Sequence, residues 1–110
     1  MPRITYNKLV RDRIPEIIEA EGRQCRTEVM TDAEYRQALL AKLVEEASEA
    51  QTAEPDNLLL ELADLNEVLD AIMAACSIDK HTVAELQQAR RDVRGGFDRR
   101  LKLLWVDHAD

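Results

Sequence analysis

Aromatic side chains make up only 4% of this chain, and glycine and proline number three each. So few turn formers and aromatics exclude a β-sandwich punctuated by Gly-rich turns. The two cysteines, Cys25 and Cys76, have neither metal-ligand spacing nor the density of a disulfide scaffold. No apolar run approaches the length of a membrane span, and the opening Met1-Pro2-Arg3-Ile4-Thr5-Tyr6 has no apolar core of a signal peptide. Basic residues are outnumbered 15 to 22 by acidic ones, for a net charge of −7. That balance argues against nucleic acid as a general partner. A reduced, cytoplasmic protein with no membrane partner is expected. What the chain does have is leucine and alanine, 14 of each in 110 residues. A hydrophobic fraction of 45% is ample for a folded core. The length fits one domain over residues 1–110, built from helices packed through small and aliphatic side chains.

Helix signals divide the chain. Pro15 suits the first turn of a short helix that Gly22 ends. Residues 24–30 alternate and include Thr27 and Val29, which predicts a short strand. Thr31 with Glu34 three residues later forms a capping box, so a long helix should run from about Asp32 to about Thr52. Pro55-Asp56 marks a turn, and a second long helix is expected over roughly 57–76. A third fills about 80–94 and stops at Gly95-Gly96. Residues 99–106 read as a second strand that could pair with the first. The expected architecture is mostly α, of four-helix-bundle type, with a short two-stranded accessory.

The most informative stretch is residues 43–79, which holds ten carboxylates and no Lys or Arg. A solvated acidic face is the plain reading. The spacing argues against it. At about 100° per residue, Leu39, Leu43, Ala47 and Ala50 form an apolar stripe, and Glu46 and Glu49 flank it with Lys42 between them. On the next helix Leu58, Leu62, Leu65, Leu69 and Ile72 form the stripe, flanked by Glu61 and Asp64. An antiparallel fold about Pro55 puts Glu49 level with Glu61 and Glu46 level with Asp64, in two rungs about 5 Å apart. Four facing carboxylates would hold protons or repel one another unless a cation joined them. A hard divalent ion such as Mg²⁺ prefers oxygen ligands of this kind. Glu46, Glu49, Glu61 and Asp64 are therefore the expected metal ligands. Glu67 is a weaker candidate for a supporting contact, and Asp70 falls on the solvent side.

Glu45-Glu46-x-x-Glu49 followed by Glu61-x-x-Asp64 resembles the metal-binding signature of the all-α nucleoside triphosphate pyrophosphohydrolases, the MazG-type superfamily. Tyr6-Asn7-Lys8-Leu9-Val10-Arg11-Asp12-Arg13-Ile14-Pro15 and Arg94-Gly95-Gly96-Phe97 are similar to the two ends of its phosphoribosyl-ATP pyrophosphohydrolase-like branch. The resemblance spans about Tyr6 to Leu104. It implies a helical bundle assembling as a homodimer or homotetramer, Mg²⁺ or Mn²⁺ held by the carboxylates, and cleavage of a nucleotide between its α and β phosphates. It also implies Glu45 as the base or a further ligand. The connection between Glu49 and Glu61 is shorter than in many relatives, which leaves base specificity open.

Cations occur at both ends of the chain, and a charge run is commonly a solvated face. A polyphosphate on an acidic metal site nevertheless needs cations for the charge that the metal leaves, and Arg forks suit its oxygens. Lys8, Arg11, Lys42 and Arg94 are the candidate substrate contacts, the first two and Arg94 because their segments match the family's ends. Protein nucleophiles find little support, since Ser48 has no nearby His in sequence and His81, four residues past Ser77, falls at a helix start. Cys25 and Cys76 read as small buried hydrophobes, and Phe97 and Trp105 as strand core. The expected activity is Mg²⁺-dependent hydrolysis of a nucleoside triphosphate to a monophosphate and pyrophosphate. A phosphoribosyl-ATP hydrolase and a non-catalytic helical dimerisation module are the alternatives.

Overall fold

The computed structural model describes residues 2–108; Met1 and Ala109-Asp110, the ends of the span expected as one domain, lie outside them. Four helices follow in order: α1 (Ile14–Ala20), α2 (Asp32–Thr52), α3 (Pro55–Ala75) and α4 (Lys80–Arg94). The protein is mostly helical. None of the described helices is long and apolar enough to cross a membrane. The chain divides between Ile78 and Asp79 into two units, with α1 to α3 in the first and α4 in the second.

Each boundary has a local cause. Pro15 lies in the first turn of α1, where its missing N–H is not needed, and Gly22 follows the helix at φ 82°. The capping box opening α2 is complete. Thr31 Oγ1 accepts from the Glu34 N–H at 3.2 Å, and Glu34 Oε1 accepts from the Thr31 N–H at 3.2 Å. Two extended residues, Ala53 and Glu54, then reverse the chain, and Pro55 starts α3. At α4 the Asp79 carboxylate accepts from the His81 N–H at 3.0 Å, and Gly95 ends the helix at φ 81°.

In the first unit α2 packs along α3. The seam is thin, because Leu39 and Val68 are the buried apolar side chains among the described residues. Leu43, Leu65, Leu69 and Ile72 are half-buried along it. The expected stripes are corrected here. On α2 the inward line runs Leu39, Leu43, Glu46, Ala50, with Glu46 buried and Ala47 exposed. On α3 Leu58 and Leu62 are exposed, while Glu61 and Asp64 turn partly inward. The acids therefore lie in the seam and not at its edge.

Other expectations also change. Among the described residues neither 24–30 nor 99–106 forms a strand. A two-stranded ribbon is at best marginal in water without further packing, and the two stretches fall in different units. Cys25 and Cys76 are exposed, not buried. Cys76 sits on the C-cap of α3, one step past the helical periodicity that would have turned it inward. Phe97 and Trp105 are exposed as well, having no strand core to enter.

Because one side chain supports the start of α2, one of the two long packed helices, Thr31→Ala should destabilise the protein by about 1 kcal/mol. That corresponds to a thermal midpoint lowered by about 4–8 °C for a domain of this size. Thermal unfolding followed by circular dichroism checks this, and an unchanged midpoint would show that the cap carries no share of stability.

Candidate metal centre

The site begins with where the chain turns. Since α2 ends at Thr52 and α3 starts at Pro55, the reversal is centred between Ala53 and Glu54. Counting outwards from there puts Glu46 level with Glu61, with Asp64 one turn beyond. Glu49 falls level with Leu58. The geometry follows that register: carboxylate oxygens of Glu46, Glu61 and Asp64 lie within 4.8 Å of one another. Glu49, expected as a fourth member, is exposed and outside this trio.

Glu46 is the unusual member. Only 8% of its surface is exposed. Its Oε1 lies 3.6 Å from Lys42 Nζ, one turn earlier on the same helix. Its Oε2 is buried with no hydrogen-bond partner, and so is Oε2 of Glu61. A buried carboxylate oxygen with no donor is costly. Burial therefore holds the Glu46 pKa above the usual carboxylate range, and the neighbouring charges of Glu49 and Asp64 push it the same way. Lys42 opposes them without cancelling the rise. The donor set, all carboxylate oxygen, suits a hard divalent cation. Such an ion would compensate the charge buried on these carboxylates, so these three residues could hold one.

Cations surround the trio. Arg11 Nη2 donates to Asp64 Oδ1 at 2.8 Å, and Lys8 Nζ donates to Glu45 Oε1 at 3.5 Å. Both come from the non-helical stretch before α1, 53 and 37 residues away in sequence from their partners. Lys8, Lys42 and Glu45 also line a depression of about 150 Å³ with Asn7, Leu9 and Met30. That is well below the roughly 300 Å³ at which whole small-molecule sites begin. The depression is too small to enclose a whole small molecule by itself. Asn7, Leu9 and Met30 were not legible as site residues. The one signal was Asn7, whose left-handed φ of 47° asparagine tolerates better than most residues.

The structure thus gathers Lys8, Arg11, Lys42, Glu45, Glu46, Glu61 and Asp64 in the first unit. Arg94 is the last residue of α4, in the second unit, and is exposed. Within that unit the Arg91 guanidinium lies against Gly96, 3.5 Å from where a Cβ would stand.

No family model matches the sequence, and no solved structure matches it. A curated protein of Mycolicibacterium smegmatis, described as uncharacterized, is 48% identical over 54 residues. That match covers 49% of this chain and 55% of the relative, so the chain spans about half of that protein's length.

The raised pKa of Glu46 fixes a sign. With its native pKa above the unfolded value, the group favours the folded state below the ordinary Glu pKa of about 4.3. That contribution disappears as pH rises through the native value, so ionised Glu46 destabilises the metal-free protein at neutral pH. Glu46→Gln should therefore raise the chelator-treated protein's thermal midpoint by a few degrees at neutral pH. The gap to wild type should narrow on acidification. Paired melting curves across pH test this; a lower midpoint for the variant at neutral pH would contradict it.

Proposed function

We propose that the chain is a Mg²⁺-dependent nucleotide pyrophosphohydrolase of the MazG-like all-α type, releasing a nucleoside monophosphate and pyrophosphate. The observation that carries the reading is the buried, unpartnered Glu46 Oε2 within a carboxylate trio completed by Glu61 and Asp64. The substrate class comes from the resemblance of residues 6–15, 45–49, 61–64 and 94–97 to that superfamily. Glu46, Glu61 and Asp64 would hold the ion, and Glu49 would add charge beside Glu46. A bound Mg²⁺ supplies positive charge at the phosphate oxygens and acidifies water in its reach; Mn²⁺ fits the same ligands. Glu45, next to Glu46 on α2 and half-exposed, orients or deprotonates the attacking water. Attack is in line with the departing pyrophosphate, with no covalent link to the protein. Lys8, Arg11 and Lys42 place positive charge where it builds on the leaving group.

Assembly belongs to the same proposal. On the first unit Leu40 and Val44 of α2 are 48% and 67% exposed, and Leu59 and Leu60 of α3 are 81% and 63% exposed. Exposed apolar side chains on both helices call for cover, which a second copy in a homodimer or homotetramer provides. A second copy would also complete a depression too small for a whole nucleotide. The exposed leucines equally favour a second reading, a non-catalytic helical dimerisation module. A solution mass of one chain at micromolar concentration would remove the assembly from both readings.

Pyrophosphate release across a panel of ribo- and deoxyribonucleoside triphosphates and phosphoribosyl-ATP, with and without Mg²⁺, separates enzyme from module. Glu61→Gln should lose Mg²⁺ affinity and turnover together. Glu45→Gln should keep metal and nucleotide binding while turnover falls by about 10²–10⁴-fold, the usual worth of a positioned base. If Glu45→Gln loses metal as badly as Glu61→Gln, Glu45 is a ligand. No Mg²⁺-dependent release from any nucleotide would overturn the proposed activity.

A further inference from the structure

Every cation gathered at the acidic seam already sits on one of its carboxylates. Lys42 is the fixed one. It is 21% exposed and bound to Glu46 within its own helix. Lys8 and Arg11 differ, because both belong to one non-helical stretch that reaches two helices. Lys8 grips Glu45 of α2, and three residues later Arg11 grips Asp64 of α3. Leu9 between them is half-buried. Both ion pairs are well exposed, with Lys8 and Arg11 side chains 48% and 57% accessible, so each holds its carboxylate only weakly.

A divalent cation carries twice the charge of Arg11 and competes for the same Asp64 oxygens. The orphaned Oε2 atoms of Glu46 and Glu61 favour that cation and offer nothing to a guanidinium already placed on Asp64. Once displaced, Arg11 keeps five N–H donors in a planar fork that matches phosphate oxygens.

We propose that Arg11 is an exchangeable counter-ion, neutralising Asp64 in the metal-free protein and passing to the phosphate oxygens of a polyphosphate ligand once a divalent cation takes Asp64, while Lys8, held on neighbouring Glu45, repels the incoming cation and attracts the phosphate from the same side. This rests on the reading of Glu46, Glu61 and Asp64 as a divalent-cation site. The stretch 7–11 thereby couples the two occupants. Its cations oppose the metal when no phosphate is present and support the phosphate when the metal is bound. Arg11 is a contact whose removal has opposite signs for the two ligands, which no purely structural role produces.

The test is calorimetric, on the full chain. Mg²⁺ is titrated into wild type, Arg11→Gln and Arg11→Lys, and inorganic tripolyphosphate is then titrated into each with Mg²⁺ saturating. Arg11→Gln should bind Mg²⁺ about two- to fivefold more tightly, the scale of one exposed ion pair. It should bind tripolyphosphate about tenfold or more weakly, as expected for a lost charge-assisted hydrogen bond. Arg11→Lys, which keeps the charge and loses the fork, should fall between on both. Mg²⁺ affinity that is unchanged or weaker in Arg11→Gln overturns the exchange while leaving the metal site intact. Absence of saturable Mg²⁺ binding to wild type overturns the metal site and the exchange with it. Should Arg11→Gln lose its helical signal, Lys8→Gln takes the same two titrations with the same expected signs.

Discussion

A carboxylate buried in a helix seam governs this molecule. Glu46 occupies a position on α2 that an aliphatic side chain would otherwise fill, between Leu43 and Ala50, and its exposure is 8%. Charge in such a place is unfavourable unless something compensates it. Lys42 compensates one oxygen, leaving the other unpartnered beside Glu61 and Asp64. The rest of the first unit can be read as a response to that debt of positive charge. The stretch before α1 brings Lys8 and Arg11 across 37 and 53 residues to the neighbouring acids.

The same substitution of acid for apolar packing explains why the seam is thin. With Glu46, Glu61 and Asp64 partly inside, Leu39 and Val68 remain as its buried apolar members among the described residues. Leucines that the sequence pattern assigned to the seam, Leu58 and Leu62, stay exposed on α3. A hairpin built this way gains little from its own burial. Under the proposed function it gains instead from ligands bound only by the native state, metal and a second copy alike.

The elements of this fold follow from local signals in the sequence, whereas its long-range contacts have no local signature. The capping box at Thr31 and Glu34, Pro15 in α1 and Gly95 after α4 each act within a few residues, so their chemistry needs no knowledge of the fold. Gathering Glu46, Glu61 and Asp64 was also legible, because i, i+3 spacing and a short reversal constrain heights strongly. Glu49 faces Leu58 and not Glu61 because the reversal is centred between Ala53 and Glu54, one and a half residues before Pro55. The inward rotation of Glu46 was hidden for a related reason. Hydrophobic periodicity assigns Ala47 to the stripe, since nothing local marks an acid as buried. The pairings of Lys8 and Arg11 depend on the path of residues 7–13 over the hairpin, which no periodicity encodes. The strands expected at 24–30 and 99–106 rested on alternation alone, and alternation does not supply a partner.

In the proposed function the buried Glu46 carboxylate belongs to a cation site. Its most direct test is a titration of Mn²⁺ into chelator-treated wild type and Glu46→Gln, with free Mn²⁺ followed by electron paramagnetic resonance. Wild type should remove Mn²⁺ from solution saturably, Mg²⁺ should compete for the same sites, and Glu46→Gln should bind at least about tenfold more weakly, as removing a charged ligand implies. Equal binding by the two proteins, or no saturable binding by wild type, would contradict the account.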